Sequence, residues 1–202
     1  MLKSTVFDKK SIPKIYDNNY LIDLEDIELS KLEVELCKEL IKRTKQDEKE
    51  HGTAIQHGMA ITQNGEVYYY TSSLRDKIKI PNEILDLAND KTSNLTLIHS
   101  HPDNLPPSGA DLEQLLKLGV TSVIIVGKDS LVFKIENISD DRPSEKEWCE
   151  RINNIDFEIN EILVYNDTFL NMTLPDRKFQ HEFFYRIVRE FEWKARGGYL
   201  NE

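Results

Sequence analysis

Cysteine is scarce in this chain. Cys37 and Cys149 are the only two, too few for a disulfide framework or for a cysteine-rich zinc site, and the expected setting is a reducing cytoplasm. Long apolar runs are missing as well. No stretch approaches the roughly 18 to 20 apolar residues of a membrane helix, and residues 1–14 lack the apolar core of a signal peptide, so neither membrane insertion nor export is expected. Basic residues are in the minority, 26 Lys and Arg against 36 Asp and Glu, for a formal net charge of −10. A phosphate backbone needs a cationic surface, so no nucleic-acid partner is expected. Internal repeats and low-complexity tracts are also absent. The 202 residues suffice for one main domain with a core and are too few for an eight-fold β/α barrel.

What is present is a pattern of alternating helix and strand. Residues 1–24 mix charge, Pro13 and polar groups without periodicity and read as an N-terminal arm. From Glu25 to about Gln46, Leu29, Leu32, Leu36, Leu40 and Ile41 recur at spacings of three and four, one apolar stripe on a helix. Cys37 falls inside that stripe as a small buried hydrophobe. Residues 52–62 and 66–71 are strand-like, and Asn64-Gly65 between them suits a type I′ hairpin. Pro81 opens a short helix through Ile84, Leu85, Leu87 and Ala88. Leu95 to Ile98 reads as a buried strand.

The loop Pro102 to Pro107 leads to a helix over residues 109–118, with Gly119 as its left-handed cap. Residues 122–126 and 131–135 flank Gly127-Lys128-Asp129-Ser130 as a second hairpin. The run therefore describes one α/β unit over residues 25–140. Residues 141–202 read as a mostly helical C-terminal extension. Pro143 opens one helix there, and Asp176 to Arg196 reads as another whose Phe179, Phe183, Phe184, Ile187, Val188 and Phe191 line one face for packing.

The chemistry is concentrated in His99-Ser100-His101-Pro102-Asp103-Asn104-Leu105-Pro106-Pro107-Ser108-Gly109-Ala110-Asp111. Residues two apart at a strand end project from one face, so His99 and His101 can present two imidazoles to a single ion. Asp111 supplies a third ligand from the first turn of the next helix, where the macrodipole favours a carboxylate. Three protein ligands leave a tetrahedral zinc one open position, the arrangement of a catalytic rather than a structural site. Ser108 and Asp111 also fit a helix N-cap and its capping-box partner, and both roles are compatible.

This segment resembles the metal-binding signature of the JAMM metalloproteases, also called the JAB or MPN-plus family: His-x-His-Pro, a short loop, then Ser-x-x-Asp, preceded at a distance by a Glu that begins a strand. Glu50-His51-Gly52-Thr53-Ala54-Ile55 matches the upstream part. Five residues separate Pro102 from Ser108 where the family pattern has six. The resemblance covers about residues 25–137. It implies a cytidine-deaminase-like mixed sheet flanked by helices, with Zn2+ held by His99, His101 and Asp111. By the same resemblance Glu50 is the general acid/base and Ser108 stabilises the tetrahedral oxyanion. The implied activity is hydrolysis of peptide or isopeptide bonds in a protein or peptide substrate, ubiquitin-like conjugates included.

Other residues are read without chemistry. Tyr68, Tyr69 and Tyr70 are packing residues of a strand. His51 and His57 are ordinary strand or surface residues, with His57 able to reach a substrate groove, and His181 belongs to the surface of the extension. The competing function is a scaffold module, since MPN-like domains also exist as interaction surfaces without catalysis. A zinc nucleoside deaminase is disfavoured, because the required His-x-Glu and Pro-Cys-x-x-Cys are not in this sequence.

Overall fold

Helices cover both faces of a six-stranded mixed sheet in the computed structural model, which describes residues 27–71, 78–137, 139, 141–165 and 175–200. The expected N-terminal arm lies outside the described residues. In chain order the elements are α1 (Lys31–His51), β1 (His57–Ile61), β2 (Val67–Thr71), α2 (Asn82–Asn89), β3 (Leu95–His101), α3 (Gly109–Glu113), β4 (Val120–Gly127), β5 (Leu131–Glu136), α4 (Glu145–Tyr165), α5 (Pro175–Glu190) and β6 (Lys194–Tyr199). A 3-10 turn over Gln114–Leu116 continues α3. The coarse α/β expectation is met.

The strand order is β2-β1-β3-β4-β5-β6. Only β3 and β4 run parallel, His99 lying opposite Ile125 and His101 opposite Gly127. A parallel neighbour requires a crossover, and α3 with its 3-10 turn supplies it. Every other pair is antiparallel. Because side chains alternate along a strand, the sheet has two apolar faces. Met59, Ile61, Ile98, Ile124, Val126 and Val132 meet Cys37, Leu40 and Ile41 of α1 on one side. Leu97, Val123, Ile125, Phe133 and Ile135 meet α2 to α5 on the other.

Helix α1 starts at a capping box, Ser30 accepting from the Glu33 N–H while Glu33 accepts from the Ser30 N–H, which satisfies two of the helix's orphan donors. Glu33 also pairs with Lys134 at 2.8 Å in a largely buried setting. The helix ends at Gly52, whose φ of 69° is the left-handed cap geometry that favours glycine. Here the sequence reading is corrected: Gly52 ends a helix instead of starting a strand, and β1 begins at His57. The Asn64-Gly65 turn is corrected too. Only Gly65 has positive φ, and the Gly65 N–H bonds to the Thr62 carbonyl at 2.9 Å, whereas a type I′ turn needs two left-handed residues.

Gly119 is not a left-handed cap. A Cβ there would sit 2.3 Å from the Asp90 carbonyl and 2.5 Å from that of Leu87, so its smallness lets the start of β4 abut the end of α2. The largest departure is C-terminal. Helix α5 stops at Glu190, Glu192 turns the chain at a φ of 54°, and β6 adds an antiparallel strand to β5. Phe183, Phe184, Ile187 and Val188 of α5 are buried, as the aromatic stripe requires. His181 is half-buried against Phe133, not a surface residue. The C-terminal segment is therefore part of the same core and the same sheet.

Candidate metal centre

Strand β3 is fully inserted between β1 and β4, so its register fixes where His99 and His101 stand. Both lie at its C-terminal end, on the face shared with Leu97, beside the crossover to β4, and both are buried. Carboxyl ends of strands next to a crossover are where open α/β sheets leave room for ligands. Ser100, between them, points to the opposite face and accepts the His57 backbone N–H at 3.0 Å.

Asp111 arrives from the first turn of α3. Ser108 is the N-cap: its side chain accepts from the Asp111 N–H, and the Asp111 carboxylate accepts from the Ser108 N–H at 2.6 Å and from the Ser108 hydroxyl at 2.7 Å. The structural half of the double reading of Ser108 is thus present. That reciprocal cap turns the carboxylate towards the histidines. His99 Nε2 lies 2.9 Å from Asp111 Oδ1, and His101 Nε2 lies 3.3 Å from Oδ2. The two Nε2 atoms are 3.2 Å apart. All three ligand atoms fall within 4.8 Å of one another, and their separations of 2.9, 3.2 and 3.3 Å are close to the roughly 3.3 Å between ligands of a tetrahedral ion with ligand distances near 2 Å.

The surrounding groups prepare these donors. His101 Nδ1 faces the Leu105 carbonyl at 3.1 Å; a proton there leaves Nε2 as the lone-pair donor, the usual outer-shell arrangement of a metal-bound imidazole. Burial opposes charge on His101, but the hydrogen bond and charge of Asp111 outweigh it and raise its pKa. Burial likewise pushes the Asp111 carboxyl up, and the two imidazoles reverse this, holding it well below the usual carboxylate range. Asp111 is thus an anion, as a ligand must be.

The approach of the loop is fixed by Asn104. Its φ of 56° is left-handed, and its side chain spans to the β4–β5 turn, accepting from the Asp129 N–H at 2.9 Å and donating to the Asp129 carboxylate. Asn104 passes directly over Gly127, where a Cβ would come within 2.3 Å of Asn104 Oδ1.

The three candidate ligands open onto a cavity of about 710 Å3 that Ser108 also lines. Glu50 does not line it. It sits in the last turn of α1, about half exposed, accepting from the Gln46 amide at 2.8 Å. The expectation that Glu50 begins a strand fails because α1 continues through His51. The cavity instead holds Gln56 and Tyr70. Tyr70 lies across Gly58, the residue opposite His99 in the ladder; a Cβ on Gly58 would come within 2.3 Å of the Tyr70 ring. Burial, with the Asp111 charge beside it, raises the Tyr70 phenol well above its usual value and keeps it a proton donor.

Tyr70 was legible as a packing residue only; the missing signal was the paired glycine on β1. Gln180 of α5 also lines the cavity, which no local pattern in the sequence indicates. His57 is not at this site. It is buried on the opposite face, between Asp47 at 2.5 Å and the Tyr69 hydroxyl at 2.6 Å. No helix among the described residues is long and apolar enough to cross a membrane. No family model, curated protein or solved structure matches this chain.

Proposed function

We propose that the chain is a zinc-dependent hydrolase of peptide or isopeptide bonds on the JAB/MPN plan. The convergence of His99, His101 and Asp111 in one buried cluster carries the reading. Two imidazoles and one carboxylate suit zinc, and the donors come from a central strand and a capped helix start, both well fixed. Zinc bound there supplies a Lewis acid and lowers the pKa of its water from about 15.7 towards 7. The chain's own groups do the rest. Asp111 and the imidazoles would hold the ion, and the Leu105 carbonyl keeps the His101 tautomer.

Hydrolysis also needs a group that carries a proton to the departing amine. The family resemblance gives that role to Glu50, and it gives oxyanion stabilisation to Ser108, whose hydroxyl here donates to Asp111. For Glu50 to serve, the end of α1 and the link over residues 52–56 must bring it to the cavity. One observation favours a second reading, a zinc-binding scaffold without turnover: the cavity carries the amide of Gln56, and Glu50 stands outside it. Turnover decides between the two. Zinc-loaded protein is assayed on a panel of peptides and lysine isopeptides, ubiquitin-like fusions included, with Glu50→Gln beside wild type. The hydrolase reading expects zinc-dependent cleavage that falls about 100-fold or more in the variant while zinc stays bound. Zinc binding without cleavage of any substrate favours the scaffold.

A further inference from the structure

The cavity beside the candidate ligands is larger than a scissile amide requires, and two lysines stand on its largely apolar walls. Ile78, Ile80, Leu85 and Leu97 form apolar walls, and Lys79 and Lys117 stand among them. Neither lysine has a carboxylate partner among the described residues. Asp103 is the one acid on the lining besides the ligand Asp111. In a chain of net charge −10, a lining on which two lysines match Asp103 and Asp111 is less acidic than the chain as a whole, and its two lysines without carboxylate partners are the groups that can hold an anion there.

We infer that this cavity takes an amide-linked residue with an aliphatic stem and a carboxylate, the stem against Ile78, Ile80, Leu85 and Leu97 and the anion at Lys79 and Lys117. The inference rests on the hydrolase reading only in treating this residue as the neighbour of the scissile bond; the binding preference stands without it. The carboxylate belongs either to an acidic side chain or to the C-terminus of the substrate, and both present the same chemistry to the lysines.

The test uses the full chain kept metal-free with a chelator, so that no carboxylate can bind through an ion. N-acetylglutamic acid α-amide, N-acetylleucine and N-acetyllysine amide are titrated separately and followed by amide chemical-shift changes. The two carboxylate probes are expected to bind more tightly than the lysine probe, and Lys79→Gln/Lys117→Gln to weaken them about fivefold with an unchanged circular dichroism spectrum. The order of the first two probes identifies a side-chain or a terminal carboxylate as the group read. Equal binding of all three, no saturable shift with any, or no effect of the double variant overturns the inference. Zinc uptake by the wild type, measured separately, reports on the hydrolase reading, so the two can fail independently.

Discussion

Gly127 and Asn104 show how much of a candidate metal site is shaped by residues outside its set of ligands. Gly127→Ala places a methyl group against Asn104 Oδ1, displaces the side chain that holds the loop to Asp129, and loosens the path to Asp111. Zinc affinity should fall about tenfold, in the range seen when outer-shell partners are lost, with little change in unfolding free energy. Competition with a chromophoric chelator measures it; unchanged affinity would mean the loop is held by its prolines alone.

Glu33 makes a second prediction at this scale. Burial raises its carboxyl pKa, and Lys134 with the Ser30 N–H more than reverses that, leaving it below the ordinary 4.5. A depressed carboxylate contributes stability that is fully present above the unfolded value and is lost as pH falls through the folded one. Wild type should therefore exceed Glu33→Gln in stability at neutral pH, and the gap should close below about pH 4. Urea titrations at several pH values measure it, and a gap that does not change with pH would contradict the assignment.

Among the elements, those built from local pattern were legible and those fixed by distant partners were not. The apolar stripe of α1, the Leu95 run and the Gly127–Ser130 turn all carry their structure in neighbouring residues. So does the Ser108–Asp111 cap, which is why the candidate ligands could be named from spacing alone. The end of α1 could not be read this way. Gly52 is as compatible with a strand start as with a helix cap, and the choice follows from Asp47 and His57 joining the last turn of α1 to the first residue of β1. Strand β6 was hidden for a similar reason: Lys194 to Tyr199 has two glycines and no clear alternation, and it is a strand because β5 offers an open edge. Helix α5 belongs to the core, with Phe184 edge-on to Phe133 at 5.5 Å between ring centroids. Phe184→Ala should cost about 3 to 5 kcal/mol in one cooperative urea transition, whereas an early separate transition would mark the C-terminal segment as an independent unit.

Seen as a whole molecule, the sheet divides the labour. The α1 face combines an apolar layer around Cys37, Leu40 and Ile41 with the Glu33–Lys134 and Asp47–His57 pairs, while the opposite face opens at the end of β3 into the cavity that holds the candidate ligands, walled in part by α5. The mixed α/β architecture agrees with what the resemblance implies, and the activity rests on whether the cluster takes a metal. Metal content of the purified protein, by elemental analysis of wild type and His101→Ala side by side, tests that most directly. About one zinc per chain is expected in the wild type, lost in the variant with the fold retained. A wild type that holds no zinc and takes up none when it is added would contradict it.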